Sequence, residues 1–162
     1  MAAFLAITTF KRPQWKVSRD HCLRPRHGVS LMQMGGPQRE LTLWVEHNAG
    51  LGKVTSFSGG GGSGWASSSI VDTESGTRLF VKTSKRPSEA MFTGEAEGLH
   101  AMHATNTVTV PKVYHYGDLK EGNGSFIIME YLEMRGSYSQ AHLGKQLALM
   151  HLAEPLADEA KA

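Results

Sequence analysis

The chain has 162 residues, 40% apolar and 20% charged, with a formal charge of +2. That composition is ordinary for a soluble globular protein and fits one modest domain with a core. The charge is unevenly placed: residues 1–38 hold six Lys/Arg and one acid (net +5), and residues 39–162 hold eleven basic and fourteen acidic residues (net −3), so the body offers nucleic acid no positive field.

Residues 1–38 read as a leader. MAAFLAITTF carries no charge, and basic residues then alternate with Pro, Ser, Gln and His. The apolar part, Ala2 to Ile7, is too short for a membrane helix and no charged segment precedes it. Few acids and several arginines suit an organelle transit peptide, plastid in preference to mitochondrion. A disordered cytosolic tail is the alternative. The sole cysteine, Cys22, lies in this leader, so the body has no disulfide.

The body opens near Gly35-Gly36-Pro37. Arg39 to His47 predicts a short amphipathic helix ending before Asn48-Ala49-Gly50. Lys53 to Ser58 alternates as a strand does. Gly59-Gly60-Gly61-Gly62-Ser63-Gly64 then predicts a loop, and Trp65 to Val71 resumes extended character through a serine run. Glycine lets a backbone turn tightly and aim N–H groups at an anion, so this stretch is a candidate phosphate cradle. The same composition suits a flexible linker, although the flanking segments are too short to fold alone.

Asp72 to Gly76 is a turn by composition, and Thr77 to Thr83 a strand ending in Val81-Lys82. Pro87 can open a helix, with Ser84 or Ser88 as cap, running to about Ala104. Met91, Glu95, Leu99 and Met102 would share one face of it. A carboxylate in an apolar stripe is costly without a cation, and Lys82 also sits among apolar neighbours. The economical arrangement pairs Lys82 with Glu95, which would aim the lysine at a phosphate. The alternative sends both to solvent at the rim of the sheet. His100 and His103, one turn apart, have no evident third partner for a metal.

Val108 to Val113 is extended around Pro111, and Val113 to Gly117 reads as a strand. After the polar turn Lys120 to Gly124, the unbroken apolar run Ser125 to Met129 predicts a strand buried on both faces. Its switch to Glu130-Tyr131-Leu132-Glu133 suggests a hinge whose backbone could bond an adenine edge. Gly144 to Leu152 predicts a short amphipathic helix.

In order and spacing these pieces resemble the N-terminal part of the fructosamine/ketosamine-3-kinases, relatives of the aminoglycoside phosphotransferases. The matching segments are the glycine stretch, Asp72-Thr73, Leu79-Phe80-Val81-Lys82, Met91-Phe92-Thr93-Gly94-Glu95, Val110-Pro111-Lys112, Gly124 to Glu130, and Leu143-Gly144 through Leu149-Met150-His151. The resemblance implies an α+β, protein-kinase-like N-lobe over residues 39–132, an antiparallel sheet with one αC-type helix, followed by a hinge exit and the start of a second lobe over 133–162. It implies phosphorylation, by ATP with Mg2+, of ketosamines on glycated proteins. Gly60, Gly61, Gly62, Ser63 and Gly64 would cover the phosphates, Lys82 would contact them, Glu95 would hold Lys82, and Glu130, Tyr131 and Leu132 would form the adenine hinge. No nucleic acid or membrane partner is implied.

The sequence departs from the family pattern twice. Relatives commonly carry Gly-Gly-Gly-Cys where this chain reads Gly60-Gly61-Gly62-Ser63-Gly64-Trp65. The His-Gly-Asp loop and later aspartate that position the acceptor and metal have no counterpart after His151, which predicts a truncated chain without catalytic residues. A nucleotide-binding module without turnover, or a cousin acting on small-molecule sugars or antibiotics, are the other readings.

Overall fold

A computed structural model describes residues 34–120, 124–134, 136 and 139–154. The leader through residue 33 and the chain beyond 154 lie outside the described residues. Helix α1 (Gly36–Asn48) is followed by strands β1 (Val54–Ser63), β2 (Ala66–Thr73) and β3 (Arg78–Ser84). Helix α2 (Glu89–Ala104), strands β4 (Val113–Asp118) and β5 (Ser125–Glu130) and helix α3 (Gln140–His151) complete the order. Helix α1 starts at Gly36 with Pro37 in its first turn, so its first residues fall inside the stretch read as leader.

The strands form one antiparallel sheet in the order β1-β2-β3-β5-β4. The α+β architecture and antiparallel sheet are those expected. Both sheet faces carry apolar residues. On β3, Leu79 and Val81 point to one side, where Val71, Phe126 and Ile128 join Leu41 and Val45 of α1. Phe80 and Lys82 point to the other, where Ile127 and Met129 pack beneath Phe92 and Ala96 of α2. Helices on both faces explain why β5 reads as an unbroken apolar run.

The glycine stretch is a strand where a loop was expected. β1 runs through Gly59 to Ser63 paired with β2, and only Gly64-Trp65 turn. Gly59 faces Ser69 and Gly62 faces Ser67, so two residues oppose Ser68 alone, a β-bulge. A ribbon paired along its length is no spacer between independent units.

Helix α2 is rotated from its expected setting. Phe92 and Ala96 are its fully buried positions, Leu99 is half-buried, and Met91 is 50% exposed. Glu95 therefore borders the packed face. Helix α3 begins four residues before the expected Gly144, with the Ser139 hydroxyl accepting from the His142 N–H, and buries no residue among those described.

His115 of β4 stacks on Trp44 of α1, centroids 4.4 Å apart at 5°, and tilts against Phe126. Burial pushes its pKa below the ordinary histidine value. A His held neutral in the fold contributes fully above its unfolded-state pKa of about 6.5, and that contribution is lost as pH falls toward the folded value. The thermal midpoint should fall between about pH 7.5 and 5.5. His115→Phe, which keeps the stack, should flatten that slope, and an unchanged slope in the variant would refute the assignment.

Candidate functional site

Strand period places the Lys82 side chain on the α2 face of β3, opposite Ser68 of β2 and Ile127 of β5. Its Nζ donates to Glu95 Oε1 at 2.6 Å, so the helix reaches over the sheet to meet it. The two side chains are 35% and 27% exposed, so solvent screens the pair and its stabilisation is small. Its consequence is geometric: the ammonium is held in place with two hydrogens still to donate.

The hairpin of β1 and β2 roofs this lysine. A cleft of about 200 Å³ opens beneath it, lined by Gly61, Trp65, Ala66, Ser68, Phe80 and Lys82 among others. The Ser68 hydroxyl donates to the Gly61 carbonyl at 2.6 Å and closes the bulge. Gly62 approaches β2 so closely that a Cβ there would lie 3.1 Å from the Ala66 carbonyl oxygen. Gly60, Ser63 and Gly64 lie in the same hairpin, the first two within β1 and Gly64 in its turn.

Glu130, Tyr131 and Leu132 leave the sheet at the end of β5. The Glu130 N–H donates to the Lys112 carbonyl at 2.8 Å, and the Lys112 N–H donates to Glu130 Oε2 at 3.3 Å. The Tyr131 N–H donates to the Arg78 carbonyl at 3.3 Å. Two of the three expected hinge N–H groups are thus engaged within the protein. The Arg78 guanidinium lies 5.3 Å from the Tyr131 ring centroid while its Nε donates to Asp72 Oδ1 at 2.7 Å. That carboxylate bond raises the Arg78 pKa above its already high ordinary value, and the cation lies against the Tyr131 ring.

Sequence reasoning missed Ser68, Phe80 and Trp65 as cleft residues. The signal was available for Ser68: counting back from a two-residue turn at Gly64-Trp65 places it across the ribbon from the glycines. Among the described residues no cluster of three or more His, Cys, Asp or Glu could hold a metal, and no helix is long and apolar enough to cross a membrane.

A family model described as fructosamine kinase matches residues 46–159. The chain is 37% identical over 152 residues to a chloroplastic protein-ribulosamine 3-kinase of Arabidopsis thaliana, covering 93% of this chain and 45% of that protein. It is 43% identical over 132 residues to the Oryza sativa subsp. indica protein of the same name, covering 80% and 38%. A ketosamine-3-kinase of Mus musculus is 45% identical over 102 residues, covering 62% of this chain and 32% of its own length. The chain thus spans less than half the length of these relatives. A crystal structure from Haemophilus somnus 129PT, provisionally assigned as a fructosamine-3-kinase, superposes with a TM-score of 0.58 at 22% identity over 70% of this chain and 39% of that one, and shows the shared kinase-like fold. The chain belongs to the fructosamine kinase family.

Proposed function

We propose that this chain is the nucleotide-holding part of an ATP-dependent kinase that phosphorylates a sugar hydroxyl of protein-bound ketosamines, ribulosamines foremost, in the plastid. The observation that carries the reading is the Lys82–Glu95 contact under the glycine-rich hairpin. An ammonium oriented by a helix carboxylate, beneath a backbone roof able to approach an anion, is what triphosphate binding requires. Names of the plant relatives support the substrate class and the plastid, and the basic leader agrees.

In this reading the β- and γ-phosphates lie between Gly60–Gly64 and Lys82. The adenine rests at Glu130 to Leu132, and because the Glu130 and Tyr131 N–H groups are engaged, Leu132 supplies the hinge donor. Magnesium would arrive with the triphosphate, held by phosphate oxygens and water. Among the described residues, Lys82, Glu95 and the hairpin would bind and orient the triphosphate.

The test is calorimetric titration of the 162-residue chain with ATP and magnesium, and phosphate transfer to a ribulosylated protein by a protein of the relatives' length that carries it. Saturable one-to-one binding together with transfer supports the proposal. Absence of ATP binding at millimolar concentration would sink it. Binding with no transfer in either form would favour a nucleotide-sensing module, and transfer to free aminoglycosides in place of ribulosylated protein would favour a small-molecule kinase.

A further inference from the structure

The residue at the tip of the hairpin has no part in the phosphate reading. Trp65 is the second residue of the Gly64-Trp65 turn and is 50% exposed. Its ring centroid lies 6.2 Å from that of Phe92, at a tilt of 39°. Phe92 is fully buried in α2, three residues before Glu95. Trp65 also lines the cleft that holds Lys82. One aromatic contact therefore joins the hairpin roof to the helix that supplies the lysine's partner.

Backbone pairing holds β2 to β3 as far as Ala66, opposite Ser84, while β1 is an edge strand whose glycine stretch pairs with β2 alone. Cβ atoms built at Gly59, Gly61 and Gly64 would meet open space. Beyond the bulge, which Ser68 ties to Gly61, Gly62 and Ser63 pair with Ser67 and Ala66, and the indole adds the side-chain contact from the Gly64-Trp65 turn to α2. A glycine-rich edge and turn without that contact would sample more positions over the cleft, and a nucleotide would have to narrow that ensemble on binding.

We propose that Trp65 is a positioning residue: its indole latches the hairpin onto Phe92 and sets the roof at the height where Lys82, braced by Glu95, meets the phosphates of a nucleoside triphosphate. Release of the indole opens the cleft, and docking closes it. A tilted aromatic pair is weak enough to part thermally, which suits a latch that must let a nucleotide enter and leave. The inference rests on the nucleotide-binding reading above and adds the element that gates it.

The experiment uses the full chain with both other tryptophans changed, Trp15→Phe and Trp44→Phe, leaving Trp65 as the only indole. Titration with ATP and magnesium should change Trp65 emission saturably, with the same midpoint as calorimetry. In the otherwise native chain, Trp65→Ala should bind ATP about three- to tenfold more weakly with an unchanged thermal midpoint, and Trp65→Phe should restore most of the affinity. Native affinity in Trp65→Ala, or a Trp65→Phe variant as weak as the alanine, would overturn the latch. So would silent Trp65 emission while calorimetry registers binding. Failure of the native chain to bind ATP would overturn the cleft assignment itself and the latch with it, a result distinct from binding that ignores Trp65.

Discussion

Lys82→Met should lower ATP affinity by roughly a hundredfold, since charge-assisted hydrogen bonds to a phosphate contribute about 3 kcal/mol when made in a cleft that excludes part of the water. Methionine keeps the length and apolar stem, so Phe80 and Ile127 keep a neighbour. The fold should hardly notice. The Lys82–Glu95 pair is partly solvated, and water can take over the freed carboxylate. Thermal melting and calorimetry on the same sample separate the outcomes: a near-native midpoint with lost affinity supports the assignment, and native affinity refutes it. Glu95→Gln should cost less, about tenfold, because an amide oxygen still accepts from the Nζ while the charge that holds it is lost. A glutamine variant weaker than the methionine variant would mean that Glu95 acts on something other than Lys82.

Elements whose local pattern agrees with their final surroundings could be read from sequence alone. β3 alternates because Leu79 and Val81 face α1 while Phe80 and Lys82 face α2. β5 is uniformly apolar because both of its faces are covered, whereas α2 begins at Glu89, two residues beyond the Pro87 that was expected to open it. Other features depend on partners distant in the chain. The glycine stretch has no side chains to alternate, and it becomes a strand because β2 pairs with it. The rotation of α2 is set by β4 and β5 receiving Phe92 and Ala96, so a wheel centred on Met91 and Glu95 was turned toward solvent. Insertion of β5 between β3 and β4 is a matter of topology that no local period encodes. The lysine–glutamate contact was legible because an isolated charge among apolar residues demands a partner. The end of β5 was legible only as a position, since which N–H groups of Glu130 and Tyr131 are engaged depends on Lys112 and Arg78, distant in the chain.

The largest effect on stability should come from a single methyl group at Gly124. Its φ of +111° is a conformation that L side chains rarely adopt, and a Cβ there would collide with the Ser84 carbonyl oxygen, a backbone atom at the end of β3. Neither side can yield easily. The Gly124 carbonyl accepts from the Leu119 N–H at 2.8 Å, and the Ser125 N–H donates to Ser84 Oγ at 3.2 Å. The Ser125 hydroxyl in turn donates to Asp118 and accepts from the Ser88 N–H at the start of α2. The exit of β3, the entry to α2 and the start of β5 therefore meet at one point. Gly124→Ala should cost about 3 kcal/mol or more, combining backbone strain with displacement of that junction. Gly76→Ala is the control, for its φ is +79° but open space surrounds it, so it should carry only the strain, about 1–2 kcal/mol. Because the junction also sets where α2 presents Glu95, Gly124→Ala should weaken ATP binding as well, below its unfolding temperature, whereas Gly76→Ala should not. Equal melting temperatures for the two variants would show that the close approach at Ser84 relaxes freely and that the junction does not position the helix.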